Sequence, residues 1–364
     1  MSKCRACASA EVTTVLDLGR VPAADYFPPA GEPVDPDESG HPAAMGLCGQ
    51  CGLAQLLDDD TVTSEPRGIE PQALVEQAAQ AVSDAASAGW LSGRTVAEFG
   101  SPHGGTWIPH LADYGFDEVP SDHPGGADVV IDSLGIMHEP DQRAAFAGRA
   151  AATAPDGVLL LQFHSLAAIV KHGQWNALRH GHFAYYSLPA LVDLIARSGM
   201  HVATAWEYDL YGGTLMVAAR HGSGMPDERV RALLDREAAM TDPTAVGALQ
   251  RAADNHAAGL RAWLARMADE GLSVYAYGAA SRAVAVFDLA GVDARSIVAV
   301  ADASPAKQGR RMPGCDVPII SPSDLTAAQP DRVLLTLPDL LPEVRQQFPE
   351  LDGRWVIDGA DGWA

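Results

Sequence analysis

Two cysteine pairs, Cys4-x-x-Cys7 and Cys48-x-x-Cys51, have the spacing that speaks most directly of chemistry. Each pair closes a tight turn that aims two thiolates at one point, and two such turns build a tetrahedral four-thiolate zinc site. With four protein ligands there is no open position, so this zinc is expected to be structural. The small residues of Gly46-Leu-Cys-Gly-Gln-Cys-Gly52 suit the second turn, whereas the fifth cysteine, Cys315, stands far away and reads as an inert thiol. A second signal is Glu98-x-Gly100-x-x-x-Gly104, directly after the apolar run Thr95–Phe99. A strand, a glycine turn and a helix N-terminus let backbone N–H groups approach a ligand closely. The pattern has one acid and two glycines, unlike the dinucleotide fingerprint G-x-G-x-x-G. A third is Tyr277-Gly-Ala-Ala-Ser-Arg282, another strand-to-glycine turn. Its backbone would face a phosphate, and Arg282 offers a guanidinium fork to match. Lys307, Arg310 and Arg311 form a dense cationic cluster suited to a diphosphate.

The elements that must position these residues alternate between strand and helix. Residues 1–64 read as the zinc-binding module, in which Leu16–Arg20 and the Pro-rich 28–42 are expected to be loop. Residues 65–220 read as an α/β domain. A helix over Gln72–Ala88 leads into the strand at Thr95, and Trp107–Tyr114 is a short helix. Gly115–Pro120 is a short second strand ending in acids, and Asp128–Asp132 a buried strand. Gln142–Ala152 is a helix, followed after the Pro155-Asp-Gly157 turn by the strand Val158–Phe163. Leu188–Ser198 is a helix, and Val202–Tyr208 with Thr214–Ala219 make an antiparallel pair around Tyr211-Gly-Gly213. This alternation predicts a central doubly wound, mostly parallel sheet. Residues 221–364 begin with two amphipathic helices, 226–240 and 244–268, that bridge to a second, smaller Rossmann-like unit. Its strands are expected at Ser273–Tyr277, Ile297–Ala301, Arg332–Leu337 and Arg354–Ile357.

The chain of 364 residues has room for two or three domains, and its 47% hydrophobic content is ample for their cores. A formal charge of −22 argues against general affinity for nucleic acid or anionic lipid, since both select Lys/Arg-rich surfaces. No run reaches the 18 or more apolar residues of a spanning helix and the N-terminus lacks an apolar signal core, so a cytoplasmic protein is expected. The sequence sets no oligomeric state, and a monomer is compatible with it.

The order of these motifs carries a resemblance. The paired knuckles, the E-x-G-x-x-x-G turn, Asp156-Gly157 before a strand, His182-Phe183 and a Gly-Gly hairpin resemble the bacterial deoxysugar C-methyltransferases, which act on TDP-linked keto sugars in antibiotic pathways. The likeness continues in Tyr277–Arg282, similar to that family's YGAAAKG turn, and in Asp302 with Pro305-x-Lys307-Gln308-Gly309, similar to its D-x-x-P-x-K-Q-G segment. The resemblance implies S-adenosylmethionine as a second cofactor beside zinc, and a small-molecule TDP-sugar as substrate. It implies that a base removes the proton beside the sugar's keto group, and that the enolate then attacks the methyl donor. His182, in Arg179-His-Gly-His-Phe-Ala-Tyr-Tyr-Ser187, matches the family's base, and His138 matches a histidine that steadies the enolate oxygen. Glu98, Gly100, Gly104, Asp117, Glu118 and Asp132 would then surround the methyl donor. Tyr277, Ser281, Arg282, Asp302, Lys307, Arg310, Arg179 and Tyr186 would surround the sugar nucleotide.

The chain departs from that pattern at informative places. Arg179 and Gly181 replace a tyrosine and a glutamate before the histidine, Pro102-His103 replaces Asn-Asp in the glycine turn, and Pro338-Asp339 replaces Trp-Asn. The tyrosine expected near 65–71 is absent from Glu65-Pro-Arg-Gly-Ile-Glu-Pro71. Only 22 residues separate Gly105 from Asp128, whereas a single βαβ unit takes roughly 30. The edge third strand with its helices is therefore expected to be missing, which keeps the central ladder but removes much of the wall beside the adenine. Two other readings follow from these losses. One is an epimerase or isomerase that keeps the base and drops the methyl donor; the other is a non-catalytic homologue that binds nucleotide sugars.

Overall fold

The expected alternation of apolar runs and glycine-marked turns folds into three sheets. The computed structural model describes residues 3–61, 72–100 and 105–359. In chain order the strands are β1 (Val12–Val21), β2 (His41–Cys48), β3 (Ala54–Leu56), β4 (Thr95–Phe99), β5 (Asp117–Glu118), β6 (Ala127–Ser133), β7 (Thr153–His164), β8 (Ala184–Tyr185), β9 (Met200–Tyr208), β10 (Thr214–His221), β11 (Val274–Tyr277), β12 (Val300–Ala301), β13 (Ile319–Ile320), β14 (Arg332–Leu335) and β15 (Trp355–Ile357). The helices that matter here are α1 (Gln72–Ser87), α2 (Ile108–Ala112), α3 (Gln142–Ala152), α4 (Leu166–Lys171), α5 (Leu188–Arg197), α6 (Glu228–Glu237), α7 (Pro243–Val246), α8 (Ala248–Asp269) and α9 (Ser281–Ala290).

The central sheet has the order β5-β4-β6-β7-β10-β9. Strands β5, β4, β6 and β7 are parallel, and β10 runs antiparallel between β7 and β9. Val158–Phe163 is buried on both faces, which explains why the run is apolar but for Gln162, whose side-chain amide pairs with that of Gln77. The sheet ends at β5, two exposed residues paired with Thr95 and Val96, and no described strand lies beyond it. The predicted loss of an edge strand agrees with this order. Pro155–Gly157 is not a turn preceding β7 but part of it. A register shift between Ala127 and Val129 absorbs the irregularity. At Gly157 a Cβ would stand 2.9 Å from the carbonyl oxygens of Ala127 and Asp128, so only glycine lets the two strands approach.

The third sheet is all parallel, with the order β13-β12-β11-β14-β15; β13 was not anticipated, because two residues carry no periodic signal. Helix α6 packs on β9 and α5, while α8 packs on α9 and β1. No helix among the described residues is long and apolar enough to cross a membrane.

The first sheet corrects the sequence reading most. Leu16–Arg20 is not loop but the middle of β1, paired antiparallel with β2. Bulges between Thr14 and Leu16 and between Asp17 and Arg20, with Gly19 at φ +73°, break the two-residue period that would have marked it. The four sulfurs of Cys4, Cys7, Cys48 and Cys51 lie within 4.8 Å of one another, with Cys4–Cys51 and Cys7–Cys48 each 3.5 Å apart. Sulfurs at roughly 2.3 Å from one zinc stand roughly 3.8 Å apart in a tetrahedron, so the cluster fits a structural zinc ion. Lone Cys315 is buried, and burial pushes its thiol up to about 11, as befits an unreactive side chain.

This sheet is completed from elsewhere in the chain. Strand β8 pairs antiparallel with β3, Ala54 opposite Tyr185 and Gln55 opposite Ala184. The cysteine knuckles share a core with the central sheet, whereas Val15, Leu16 and Met45 share one with α8 and α9. The module is thus a wedge between the two α/β units. Its other anchor is Arg311, 2% exposed, whose guanidinium grips the Glu38 carboxylate and donates to the carbonyls of Glu32 and Pro33. Arg310 donates to the carbonyls of Phe27 and Ala306. The cationic cluster therefore does not hold a diphosphate as expected: two of its three members fasten residues 27–38.

Two outcomes follow. Removal of zinc by a chelator is expected to release β8, seen as loss of amide hydrogen-exchange protection at Gln55, Ala184 and Tyr185; unchanged protection would mean that the thiols only pack. Arg311→Ala strands a largely buried carboxylate and is expected to lower unfolding free energy by about 3–5 kcal/mol in urea titration. Burial alone would raise the Glu38 pKa, but Arg311 and the N–H groups of Asp35 and Gly314 hold it at about 2. Its folded value lies below the unfolded one of about 4.3. The pair's contribution is therefore full above that value and is lost as pH falls toward 2, so the wild-type advantage over Arg311→Ala should shrink across that window.

Candidate active site

The carboxyl ends of parallel strands are where doubly wound sheets place ligands. Here two such sheets face each other across one cavity of about 350 Å³. Residues at or just past the ends of β4, β6 and β7 line one side (Gly100, Leu134, His164), and residues just past β11, β12 and β14 line the other (Gly278, Asp302, Leu337). Between them lie His138, Arg179 and His182.

On the central-sheet side, Glu98 lines the cavity, but its carboxylate is already engaged. It accepts from the Thr106 hydroxyl at 2.5 Å and the Trp107 N–H at 2.7 Å, and so ties β4 to the residues just before α2. Gly100 lines the cavity, and Gly104 lies outside the described residues. After β6, Leu134 adopts φ +59° and donates its N–H to the Gln162 carbonyl. Tyr211, between β9 and β10 of the same sheet, sits at φ +54°. Strained non-glycine backbone of this kind costs of order 1–3 kcal/mol per residue and gathers at functional sites. Neither residue was singled out from sequence, since a positive φ on a leucine or tyrosine leaves no mark in composition.

Three expected methyl-donor contacts do not reach the cavity. Asp132 is fully buried, holds Arg149 at 2.8 Å and accepts from the N–H groups of Gly135 and Ile136, so it shapes the turn after β6. Asp117 and Glu118 are exposed on the edge strand and do not line the cavity. The truncated edge brings no acid round to where a ribose would lie.

The histidine segment is held from several directions. Arg5, between the first two cysteines, donates to the Leu56 carbonyl and lies 4.7 Å over the Phe183 ring. The His180 ring donates to the Pro42 carbonyl, and the Gly181 N–H donates to Asp59. His182 and His138 meet edge to face, with ring centroids 4.4 Å apart. His138 Nδ1 lies 2.9 Å from the Gly181 carbonyl; an oxygen of that kind only accepts, so Nδ1 carries the hydrogen and Nε2 is the cavity-side nitrogen. His182 Nε2 accepts from Arg179 Nε at 2.8 Å. Tyr186 does not join them. It is buried between Phe146 and Phe163, with its hydroxyl donating to Gln142, so it is a core residue and not a substrate contact.

On the third-sheet side, Tyr277, Ser281, Arg282, Asp302 and Lys307 all line the cavity, as expected; Arg310 does not. Asp302 is spent on backbone, accepting from the Ala279 and Ser304 N–H groups at 2.8 Å each, so it locks the glycine turn. Lys307 donates to the Ala279 carbonyl at 2.9 Å. Gly278 has φ +96°, and a Cβ there would meet the Thr336 hydroxyl at 2.7 Å, which explains why the turn begins on glycine. Burial lowers the Arg282 pKa, and neighbouring Arg179 adds to the effect. His164, which sequence reasoning overlooked, also lines the cavity; burial pushes its imidazole down to about 3, with Arg282 and Arg179 contributing. Its place at the end of a central parallel strand was the signal available.

Residues 4–64 match the family described as "Putative zinc binding domain", and residues 209–358 match that described as "C-methyltransferase C-terminal domain". The C-methyltransferase NovU of Streptomyces niveus is 26% identical over 250 residues, an alignment that covers 66% of this chain and 59% of that protein. Among solved structures, the mitomycin 7-O-methyltransferase MmcR is similar over 41% of this chain and 54% of its own, with 16% identity and a TM-score of 0.33. The Burkholderia thailandensis 1,6-didemethyltoxoflavin-N1-methyltransferase is similar over 47% of this chain and 96% of its own, with 14% identity and a TM-score of 0.30. The chain is thus similar to a zinc-binding domain at one end and to a C-methyltransferase C-terminal domain at the other.

Proposed function

We propose that this protein is an S-adenosylmethionine-dependent C-methyltransferase acting on a nucleotide-linked keto sugar, with His182 as the base. The observation that carries the reading is the single cavity between two sets of parallel-strand ends, with two histidines at its middle. The relative NovU, a C-methyltransferase by name, supports it. Gly100, Ser133 and Leu134, at the ends of β4 and β6, would stand beside S-adenosylmethionine, which would supply the methyl group. The turn at Gly278 with Arg282 and Lys307 would take the anionic nucleotide. His182 Nε2 accepts the proton α to the keto group, and imidazole suits that task near neutral pH. His138, held by its Nδ1–H on the Gly181 carbonyl, would steady the enolate oxygen. The buried module and the aromatic surroundings of the segment keep water from the enolate.

A second reading, a sugar-nucleotide epimerase or isomerase using the same base, is favoured by one observation. The acids of β5 stand outside the cavity, so no acid from that strand holds a ribose.

Incubation with a TDP-4-keto sugar in D₂O is expected to introduce deuterium at the acidic carbon, with uptake reduced at least about 100-fold in His182→Ala. No uptake, or uptake unchanged by the substitution, would remove the base from both readings. Calorimetric titration with S-adenosylmethionine and its demethylated product separates the two: binding heat is expected for the methyltransferase, and its absence at millimolar ligand would leave the epimerase.

A further inference from the structure

Resting on the reading of His182 as base, we propose that Arg179 is a latch on that base, and that an anionic group of the substrate, carboxylate or phosphate, must draw it aside before the proton can be taken. The lone pair that would receive a proton is the Nε2 lone pair, and in this structure it already accepts from Arg179 Nε at 2.8 Å. A base cannot use the same lone pair for both. The partner is a permanent cation, so the contact disfavours the protonated imidazole for as long as it lasts.

The cavity around the pair has the charge to attract such an anion. Of the 25 Lys and Arg in a chain with 47 Asp and Glu, three side chains line this one cavity: Arg179, Arg282 and Lys307. Of the three carboxylates that share its wall, Glu98, Asp302 and Glu343, the first two are committed to N–H and hydroxyl donors. Arg282 lies 5.9 Å from the centre of the Tyr211 ring, and its guanidinium and that of Arg179 repel one another in a desolvated space. Like charges held together this way are relieved by a bound anion. A guanidinium grips carboxylate or phosphate bidentately through paired N–H groups, and one of its gripping edges includes Nε. An anion on that edge competes directly with His182, whose lone pair is released as the salt bridge forms. The protein would then couple recognition of an anionic group to arming of the base.

The nitrogen-15 spectrum of the histidine-labelled full chain reads this contact without turnover. The His182 Nε2 signal, assigned by its loss in His182→Gln, is expected to be that of an unprotonated, hydrogen-bonded nitrogen. Millimolar inorganic pyrophosphate or acetate should move it toward the unbonded position. A response to pyrophosphate alone points to a substrate phosphate, and a response to acetate points to a carboxylate. In Arg179→Gln the signal should begin at the unbonded position and ignore both anions, while Arg179→Lys should keep part of the response. No shift in the wild type with either anion, or an equal shift in Arg179→Gln, would overturn the latch. Because no chemistry is needed, a failed deuterium exchange and a failed latch remain separate results.

Discussion

The pairing of β8 with β3 is the constraint on which the rest depends. A two-residue strand from the middle of the chain completes the sheet of the cysteine module, and the next residues toward the N-terminus are Phe183, His182 and Gly181. Such a short strand has too few ladder bonds to hold itself. It is held because its partner, β3, lies just beyond the second cysteine knuckle, and the knuckles are fixed by four thiolates converging on one point. A metal site distant from the cavity therefore sets the position of the histidines inside it. Arg5 makes the dependence concrete: it lies between two metal-binding thiols and covers the ring next to His182.

The second organising force is electrostatic. A strongly acidic chain gathers three cations around one desolvated space, where the low local dielectric magnifies their mutual repulsion. Two nearby carboxylates are spent on other donors: Asp302 accepts from the Ala279 N–H of the Gly278 turn, and Glu98 from the Trp107 N–H before α2. Neutral His164 registers the resulting field from within.

Much of this was legible in the sequence, and the failures have physical reasons. The cysteine spacing, the strand–turn–helix signals at Thr95 and Ser273, and the missing edge strand could all be read, because each depends on local periodicity or on simple length. Strand β1 was misread because its bulges break the alternation of inward and outward residues. Tyr186 and Asp132 were misplaced because an aromatic or an acid next to a site residue can face the core as readily as the cavity. The arginine pair 310–311 read as a phosphate cluster, yet carbonyls and a carboxylate from residues 27–38 lie in reach. Only the third dimension supplies those partners. The contact between Arg179 and His182 spans three residues, but nothing in the spelling says that the two side chains turn toward one another.

The wedge also bears on how the chain reaches its native state. Its first residues to form a sheet need β8, more than a hundred positions later, and their far end is fastened by Arg311, 273 positions from Glu38. Contacts so distant in sequence close slowly, since the loop entropy must be overcome before they contribute. During synthesis the cysteine module must wait, partly formed, for β8 and then Arg311 to emerge. Early capture of the metal would give those residues a local structure to hold while the rest of the fold assembles around them.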